Sequence, residues 1–402
     1  MKKILLAGTA LVGVAVLPTL AHADLKLDLG GYFRGYMVYS DNDEITGTSL
    51  HNFDFRRDTE VHFTGETTTD SGLTVGVHQE LKMGSEANNG GVTTQFGGFN
   101  NSGALGDADP SQTDESYIYF SGGWGRVNFG SEDGAAYLLQ VAAPSADSNV
   151  DGLRVYVQAF DPSTWIGAPA GALPNTSLEV LGYDNADFRN TDKLTYLTPK
   201  WNGFQGGVSY APETGQDEIY GSTFAASIDN QNATFDNLWE VAARWDGEFE
   251  GFGISAGAGY SHASNETNAG VGNFASDDLT TWDAGLNFTY QDFSLGGAYK
   301  RSNTGTTGPK TDAHVWVVGG AWDNGPYHVG VSYYDNELDQ NAYGLGLVGD
   351  GSLERWTVGG GYTYGPGMTF RGSVAFLNVD NGATGVPDPN QTQVAIGTDV
   401  NF

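Results

Sequence analysis

The last twelve residues place Val394, Ile396, Thr398, Val400 and Phe402 on one face of an extended chain, and Gln393, Ala395, Gly397, Asp399 and Asn401 on the other. A period of two marks a strand with one apolar and one polar side. In Trp282 to Tyr290 the same pattern sets Trp282, Ala284, Leu286, Phe288 and Tyr290 against Asp283, Gly285, Asn287 and Thr289. It returns at Phe252, Ile254, Ala256, Ala258 and Tyr260, and at Tyr327, Val329, Val331 and Tyr333. The chain has 59 glycines, an excess that elsewhere signals disorder. Here they interleave with Val, Tyr, Phe and Trp at period two, which assigns them to strands and tight turns.

Turn signals order the strands. Short connections fall at Thr69-Asp70-Ser71-Gly72, Gly122-Gly123-Trp124-Gly125, Trp201-Asn202-Gly203, Glu248-Phe249-Glu250-Gly251, Gln291-Asp292, Asp323-Asn324-Gly325 and Gly365-Pro366-Gly367. Long segments rich in Asp, Asn, Gly and Ser separate them. The resulting strands are 25–40, 53–67, 72–84, 113–122, 125–131, 191–199, 204–212, 235–247, 251–263, 279–290, 293–301, 312–323, 326–335, 352–364, 367–379 and 391–402. That is sixteen, an even number, with short and long connections alternating. Transmembrane barrels have this asymmetry, while a soluble sandwich has no reason for it. In hydrocarbon every backbone N–H and C=O needs an internal partner, and strands achieve that only by closing into a barrel. At about sixteen strands such a barrel is too wide to be filled by its own side chains and leaves an aqueous channel. The fold class expected is therefore an all-β, antiparallel transmembrane barrel with polar inward positions such as Asp283, Asn287, Thr289, Asp399 and Asn401.

The N-terminus agrees with export. Lys2 and Lys3 precede an apolar run from Ile4 to Leu20, and Ala21-His22-Ala23 supplies a cleavage pattern. This reads as a signal peptide over 1–23 rather than a membrane anchor, leaving a single barrel domain over 24–402. A second apolar stretch of spanning length is absent from the sequence. Loss of the two signal lysines takes the formal charge from −31 to −33, a sign that rules out nucleic-acid partners. Charge so one-sided repels itself unless divalent cations or a headgroup layer carrying them relieve it. Without cysteine there is no thiol catalysis. His51, His62, His78, His262, His314 and His328 are scattered along the chain, and neither a GxSxG nor an HExxH motif occurs, so an enzyme is not expected.

One connection is anomalous. The segment from about 132 to 190 is long, yet carries Tyr137, Leu138, Leu139, Val141, Val155, Tyr156 and Phe160. Disordered segments rarely hold such residues, and the barrel lumen is the space available for this one to pack into.

Taken in order, several pieces resemble the Gram-negative general diffusion porins. They are Arg56-Arg57-Asp58-Thr59-Glu60-Val61-His62-Phe63, then Thr67-Thr68-Thr69-Asp70-Ser71-Gly72-Leu73-Thr74-Val75-Gly76. Next come Ser116-Tyr117-Ile118-Tyr119-Phe120, Gly125-Arg126-Val127-Asn128-Phe129-Gly130 and the terminal strand ending in Phe402. The resemblance implies a homotrimer in the outer membrane of a Gram-negative bacterium, with lipopolysaccharide around it. It also implies that the third external loop, matching 132–190, folds inward, and that loop carboxylates face basic residues on the wall. Finally, it implies a C-terminal Phe402 read by the barrel-assembly machinery, with Val400, Ile396 and Val394 before it and Thr398 a mild departure. The second loop, about 85–112, would be the latch to a neighbouring subunit.

On the acidic side the candidates are Glu132, Asp133, Asp147 and Asp151, with Asp161 behind them; the alternative is plain solvated carboxylates, or a Ca²⁺ or other divalent cation at Asp147 and Asp151. On the basic side they are Arg34, Arg56, Lys82 and Arg126, each on an early strand, the alternative being structural pairs with Glu60 or Glu80. Arg56 and Arg57 point to opposite faces, so only one can reach the lumen. Asp41, Asp43, Glu44, Asp107 and Asp109 would form an external rim. The expected function is passive diffusion of small polar solutes with weak to moderate cation selectivity. A sugar- or anion-selective channel, for which Tyr32, Tyr36 and Trp316 would supply inward aromatics, and a plugged structural barrel remain the alternatives.

Overall fold

A computed structural model describes residues 25–43, 51–83, 111–157, 181–186, 191–213, 235–265, 277–340, 342, 349–380, 388 and 390–402. The signal peptide, all but the last two residues of the expected latch loop at about 85–112, and Glu44, Asp107, Asp109 and Asp161 lie outside the described residues.

Sixteen strands form one closed antiparallel barrel in sequence order. They are β1 Lys26–Asn42, β2 Phe53–Thr68, β3 Thr74–Met83, β4 Ser111–Gly122, β5 Gly125–Glu132, β6 Thr191–Leu197, β7 Phe204–Glu213 and β8 Phe235–Phe249. They continue with β9 Phe252–Asn265, β10 Leu279–Tyr290, β11 Phe293–Ser302, β12 Ala313–Asn324, β13 Tyr327–Leu338, β14 Gly351–Gly365, β15 Met368–Asp380 and β16 Asn390–Asn401. Each matches an expected strand to within a few residues. No helix of the described residues is long and apolar enough to cross a membrane.

Closure is made by β1 against β16, with Phe33 opposite Val400 and Tyr39 opposite Val394. Beyond the last strand, Gly31 N–H donates to the Phe402 carbonyl and Phe402 N–H to the Gly31 carbonyl, each at 3.1 Å. The sheet therefore has no free edge to be desolvated in lipid. Short turns suit the strand twist: Asn202 and Gly203, at φ 46° and 86°, occupy the left-handed region that a two-residue hairpin turn requires.

The outer face is apolar and wears two aromatic belts. Toward the short turns, Phe252 stacks on Tyr290 at 4.5 Å and Tyr327 packs on Tyr362 at 5.2 Å. Toward the long loops, Trp282, Tyr299 and Trp316 form a run with centroids 4.8 and 4.3 Å apart. Leu286, Leu295, Val318, Val329 and Val358 are exposed between the belts. Apolar surface of this extent, bounded by aromatic rings, matches a hydrocarbon slab with interfaces on both sides. Trp316 belongs here, not in the lumen: it is 53 % exposed while its neighbours Val315 and Val317 are buried on the inner side.

Candidate functional site

The site is the barrel interior, and the segment after β5 shapes it. β5 and β6 are only 8 and 7 residues long, so the chain leaves the wall and rejoins it part-way up instead of at the rim. Two short helices follow, α1 Ala135–Leu138 and α2 Ser148–Asp151, and the described parts of the segment lie along the inner faces of β7 to β16. Glycines on those faces permit the approach. A Cβ on Gly257 would meet Val141 Cγ2 at 2.9 Å, and one on Gly207 would meet the Ala135 Cβ at 3.0 Å. On Gly285, Gly319 and Gly330 it would collide with the backbone carbonyls of Val141, Pro144 and Ser145.

Polar clamps fix the path. Asn287 Nδ2 donates to the Ala142 carbonyl at 2.6 Å, and Ala135 N–H donates to Ser209 Oγ at 2.8 Å. Asn185 Nδ2 donates to Asp283 Oδ2 at 2.8 Å. Between these clamps the contact is dry. Val150, Val155, Val157, Leu181 and Tyr183 of the segment share one buried cluster with Val315, Val317, Leu338, Leu353, Leu377 and Val379 of the wall.

The acidic candidates hold the segment to itself and to the wall. Glu132 is the last residue of β5 rather than a loop residue; Asn128 Nδ2 donates to it at 2.8 Å, and Lys193 Nζ donates to its carbonyl. Asp133 takes a bidentate pair from Arg154 at 2.8 and 2.5 Å, and Arg154 Nε reaches Asp184 Oδ2 at 2.5 Å. Burial works against the Arg154 charge, but Asp133 and Asp184 outweigh it and hold the guanidinium pKa above its ordinary value. Asp147 caps α2 through Asn149 N–H, accepts from Tyr36 Oη at 3.1 Å and pairs with Arg371 at 3.2 Å. Its burial pushes its carboxyl up, against the pull of Arg371 and the Asn149 N–H. Asp151 accepts from Ala146 N–H and Asp147 N–H at 2.8 Å each and from Ser332 Oγ at 2.5 Å.

All four carboxylates are at most 4 % exposed and do not present bare charge to water. At Asp147 and Asp151, where the sequence leaves Ca²⁺ or another divalent cation as the alternative, the carboxylate oxygens accept N–H and O–H donors from the segment and the wall.

The basic candidates fare differently. Arg34 points inward, pairs with Asp58 at 2.9 Å, and lies between the Tyr32 ring of the wall and the Tyr156 ring of the segment, 3.8 and 4.1 Å from their centroids. Lys82 reaches Asp114 at 3.3 Å and Glu60 at 3.9 Å. Arg126 donates to Asn128 Oδ1 at 2.6 Å and covers Tyr119 at 4.0 Å. Arg56 is inward and pairs with Asp54 at 2.9 Å, while Arg57 is exposed on the outer face. Further inward cations were not among the candidates: Arg154; Arg371, which pairs with Asp399 at 2.8 Å as well as with Asp147; and Lys193, Arg244, Lys300 and the buried Arg355. Arg371 had a signal, since it alternates between Phe370 and Gly372 as Arg34 does between Phe33 and Gly35. Arg154 lies on no strand and had none.

A cavity of about 250 Å³ opens where segment and wall meet, lined by Arg34, Tyr137, Ser148, Asn149, Arg154 and Tyr156. The opposite wall, on β1 to β5, is polar: Asp58, Glu60, His62, His78, Glu80, Lys82, Tyr117 and Arg126 all project to the same side.

Comparison with known proteins bears on the barrel itself. The family model for the Gram-negative porin matches residues 7–382. The OmpF structure from Salmonella typhi, in complex with daunomycin, superposes with a TM-score of 0.60 at 17 % identity, covering 94 % of this chain and 97 % of that one. A trimeric form of OmpT from Vibrio cholerae gives 0.55 at 12 % identity, over 94 % and 99 %. A mutant of the Rh. blastica porin gives 0.52 at 16 %, over 94 % and 100 %. At these identities the likeness is one of fold. An uncharacterized protein of Rickettsia conorii is 28 % identical over 123 residues, spanning 28 % of each chain. With a family model spanning nearly the whole length and a closed sixteen-stranded barrel beneath it, the chain belongs to the Gram-negative porin family, a class of outer-membrane channels and not of enzymes.

Proposed function

We propose that this porin is a general diffusion pore for small hydrophilic solutes and ions, size-limited by the inward-folded segment and weakly cation-selective. One observation supports the reading: the described part of the segment is bonded to β7 to β16 and to the loop end of β1, while Glu60, His78, Glu80, Lys82 and Arg126 on β2 to β5 project to the lumen side. Permeation needs only a hydrated passage, a size limit and a field. Fixed charges held in a narrow, low-dielectric aperture focus that field, and apolar solutes lose affinity for water so ordered. Cation preference follows from the balance of charge. Over the whole chain 49 Asp and Glu stand against 18 Lys and Arg, so the field that reaches the pore is expected to be negative.

Export by the N-terminal signal, assembly as a homotrimer recognised through Phe402, and a lipopolysaccharide-facing rim at Asp41 and Asp43 complete the proposal. The test is single-channel recording in a planar bilayer with a salt gradient, beside a native gel for the trimer. Ohmic conductance with a reversal potential on the cation side supports the reading. Anion preference sinks the selectivity claim. Current blocked by one sugar or anion indicates a substrate-selective channel, and no current indicates a plug.

A further inference from the structure

We propose that the lumen wall of β2 and β3 binds one divalent transition-metal ion of the zinc class through His62, His78 and Glu80. The strand register sets His62 opposite Glu80 and Thr64 opposite His78, so the two imidazoles and the carboxylate converge from neighbouring strands on one face. Glu80 Oε1 lies 3.0 Å from His78 Nε2 and 3.6 Å from His62 Nε2. One ligand atom from each of the three falls within 4.8 Å of the others. A tetrahedral ion with bonds of about 2.1 Å holds its ligand atoms roughly 3.4 Å apart, so two of the three separations are already those of a site.

The surroundings are those of a metal ligand set. Thr64 Oγ1 is 2.8 Å from His78 Nδ1, where it can accept a hydrogen bond from Nδ1–H and leave the Nε2 lone pair facing Glu80. The Tyr32 ring packs edge-on against the His62 ring at 5.9 Å and limits its rotation. Glu60 Oε2, 3.1 Å from His62 Nε2, is within reach as a further oxygen ligand. A second convergent group, Glu60, Glu80 and Asp114, has only oxygens and is already served by the Lys82 ammonium.

The ligand types choose the ion. Two imidazole nitrogens with one carboxylate suit Zn²⁺ and its neighbours, with water in the open position, whereas Mg²⁺ and Ca²⁺ favour oxygen ligands throughout. Side-chain exposures of 28 %, 17 % and 17 % for His62, His78 and Glu80 leave the group open to the lumen.

The experiment is isothermal titration of the detergent-folded, tag-free, chelator-treated protein with Zn²⁺ and with Mg²⁺. The expected result is one Zn²⁺ per chain and no Mg²⁺ heat. His62→Gln with His78→Gln, and separately Glu80→Gln, should weaken Zn²⁺ at least roughly tenfold, and Thr64→Val should weaken it by a smaller factor. His314→Gln should bind as the unaltered protein does. No Zn²⁺ binding, or equal binding by the ligand variants, overturns the site and leaves a plain hydrogen-bonded trio. Should the variants fail to fold, Co²⁺ titrated into the unaltered protein decides: visible bands of nitrogen- and oxygen-ligated Co²⁺ support the site, and their absence refutes it. Neither readout depends on conduction, so this inference and the pore reading fail separately.

Discussion

The inner wall has two halves that obey opposite rules. On β1 to β5 inward positions are polar and titratable at Arg34, Asp58, Glu60, His78 and Lys82, while Tyr36 and Val38 near the loop end of β1 join the core under the segment. On β12 to β15 they include Val315, Val317, Leu338, Leu353, Leu377 and Val379, all buried in one cluster with the segment that follows β5, beside a few polar side chains such as Ser332 and Arg371 that bond to that segment. A porin wall therefore has no single inside. Where it meets water it is wet, and where it meets the inward-folded chain it is an ordinary protein core, with close approach supplied by glycine and dispersion by aliphatic side chains. Stability should be concentrated in the dry half and permeation in the wet half.

The sharpest way to break the comparison is inside the segment. Arg154→Ala leaves Asp133 and Asp184 buried without their cation, and such losses cost about 3–5 kcal/mol. Amide hydrogen exchange over 133–157 should rise by the corresponding factor while β-strand amides keep their protection. On the dry wall, Leu377→Ala should cost about 2–5 kcal/mol as a cavity, read as a lower unfolding midpoint in urea. Gly285→Val should cost about 1–3 kcal/mol by overpacking against Val141, and if the segment yields instead, single-channel conductance should rise. Arg34→Gln on the wet wall should leave the unfolding midpoint within about 1 kcal/mol and move the reversal potential further toward cations.

The smallest effect lies at the exposed Lys310–Asp350 pair, 2.8 Å apart. Lys310 and the Gln340 N–H hold the Asp350 carboxyl below its usual range. A lowered folded pKa gives a contribution present above the unfolded carboxylate value and lost as pH falls through the folded one. The protection of the Gln340 amide, the slowing of its exchange relative to the intrinsic rate at each pH, should thus be unchanged down to mildly acid pH, drop once the pH is below the ordinary carboxylate range, and be insensitive to pH in Asp350→Asn.

Strand number, order and closure were legible because period-two alternation and turn residues are local signals. The outward rows at Trp282–Tyr290 and Tyr327–Tyr333 read directly. The inner face misled where alternation stopped. In Val315-Trp316-Val317-Val318 and Val374-Ala375-Phe376-Leu377 both faces are apolar, a pattern that marks a strand covered on both sides and leaves the inward side of Trp316 undecided in the sequence. The acids of 132–151 were found, but not their task. Whether a carboxylate faces water or an N–H depends on residues as distant as Tyr36 and Ser332, and spacing does not encode that. The pairing of His62 with His78 was equally hidden, since only the β2–β3 register brings them together.

The absence of cysteine permits the most direct test, reaction of single introduced thiols with a water-soluble thiol reagent during channel recording. Lys82→Cys and Thr64→Cys on the wet wall should react quickly and reduce the current, whereas Val317→Cys and Leu377→Cys should stay unreactive in the folded barrel. Rapid labelling at Val317 and Leu377, or none at Lys82 and Thr64, would contradict a lumen that is wet along β1 to β5 and sealed along β12 to β15.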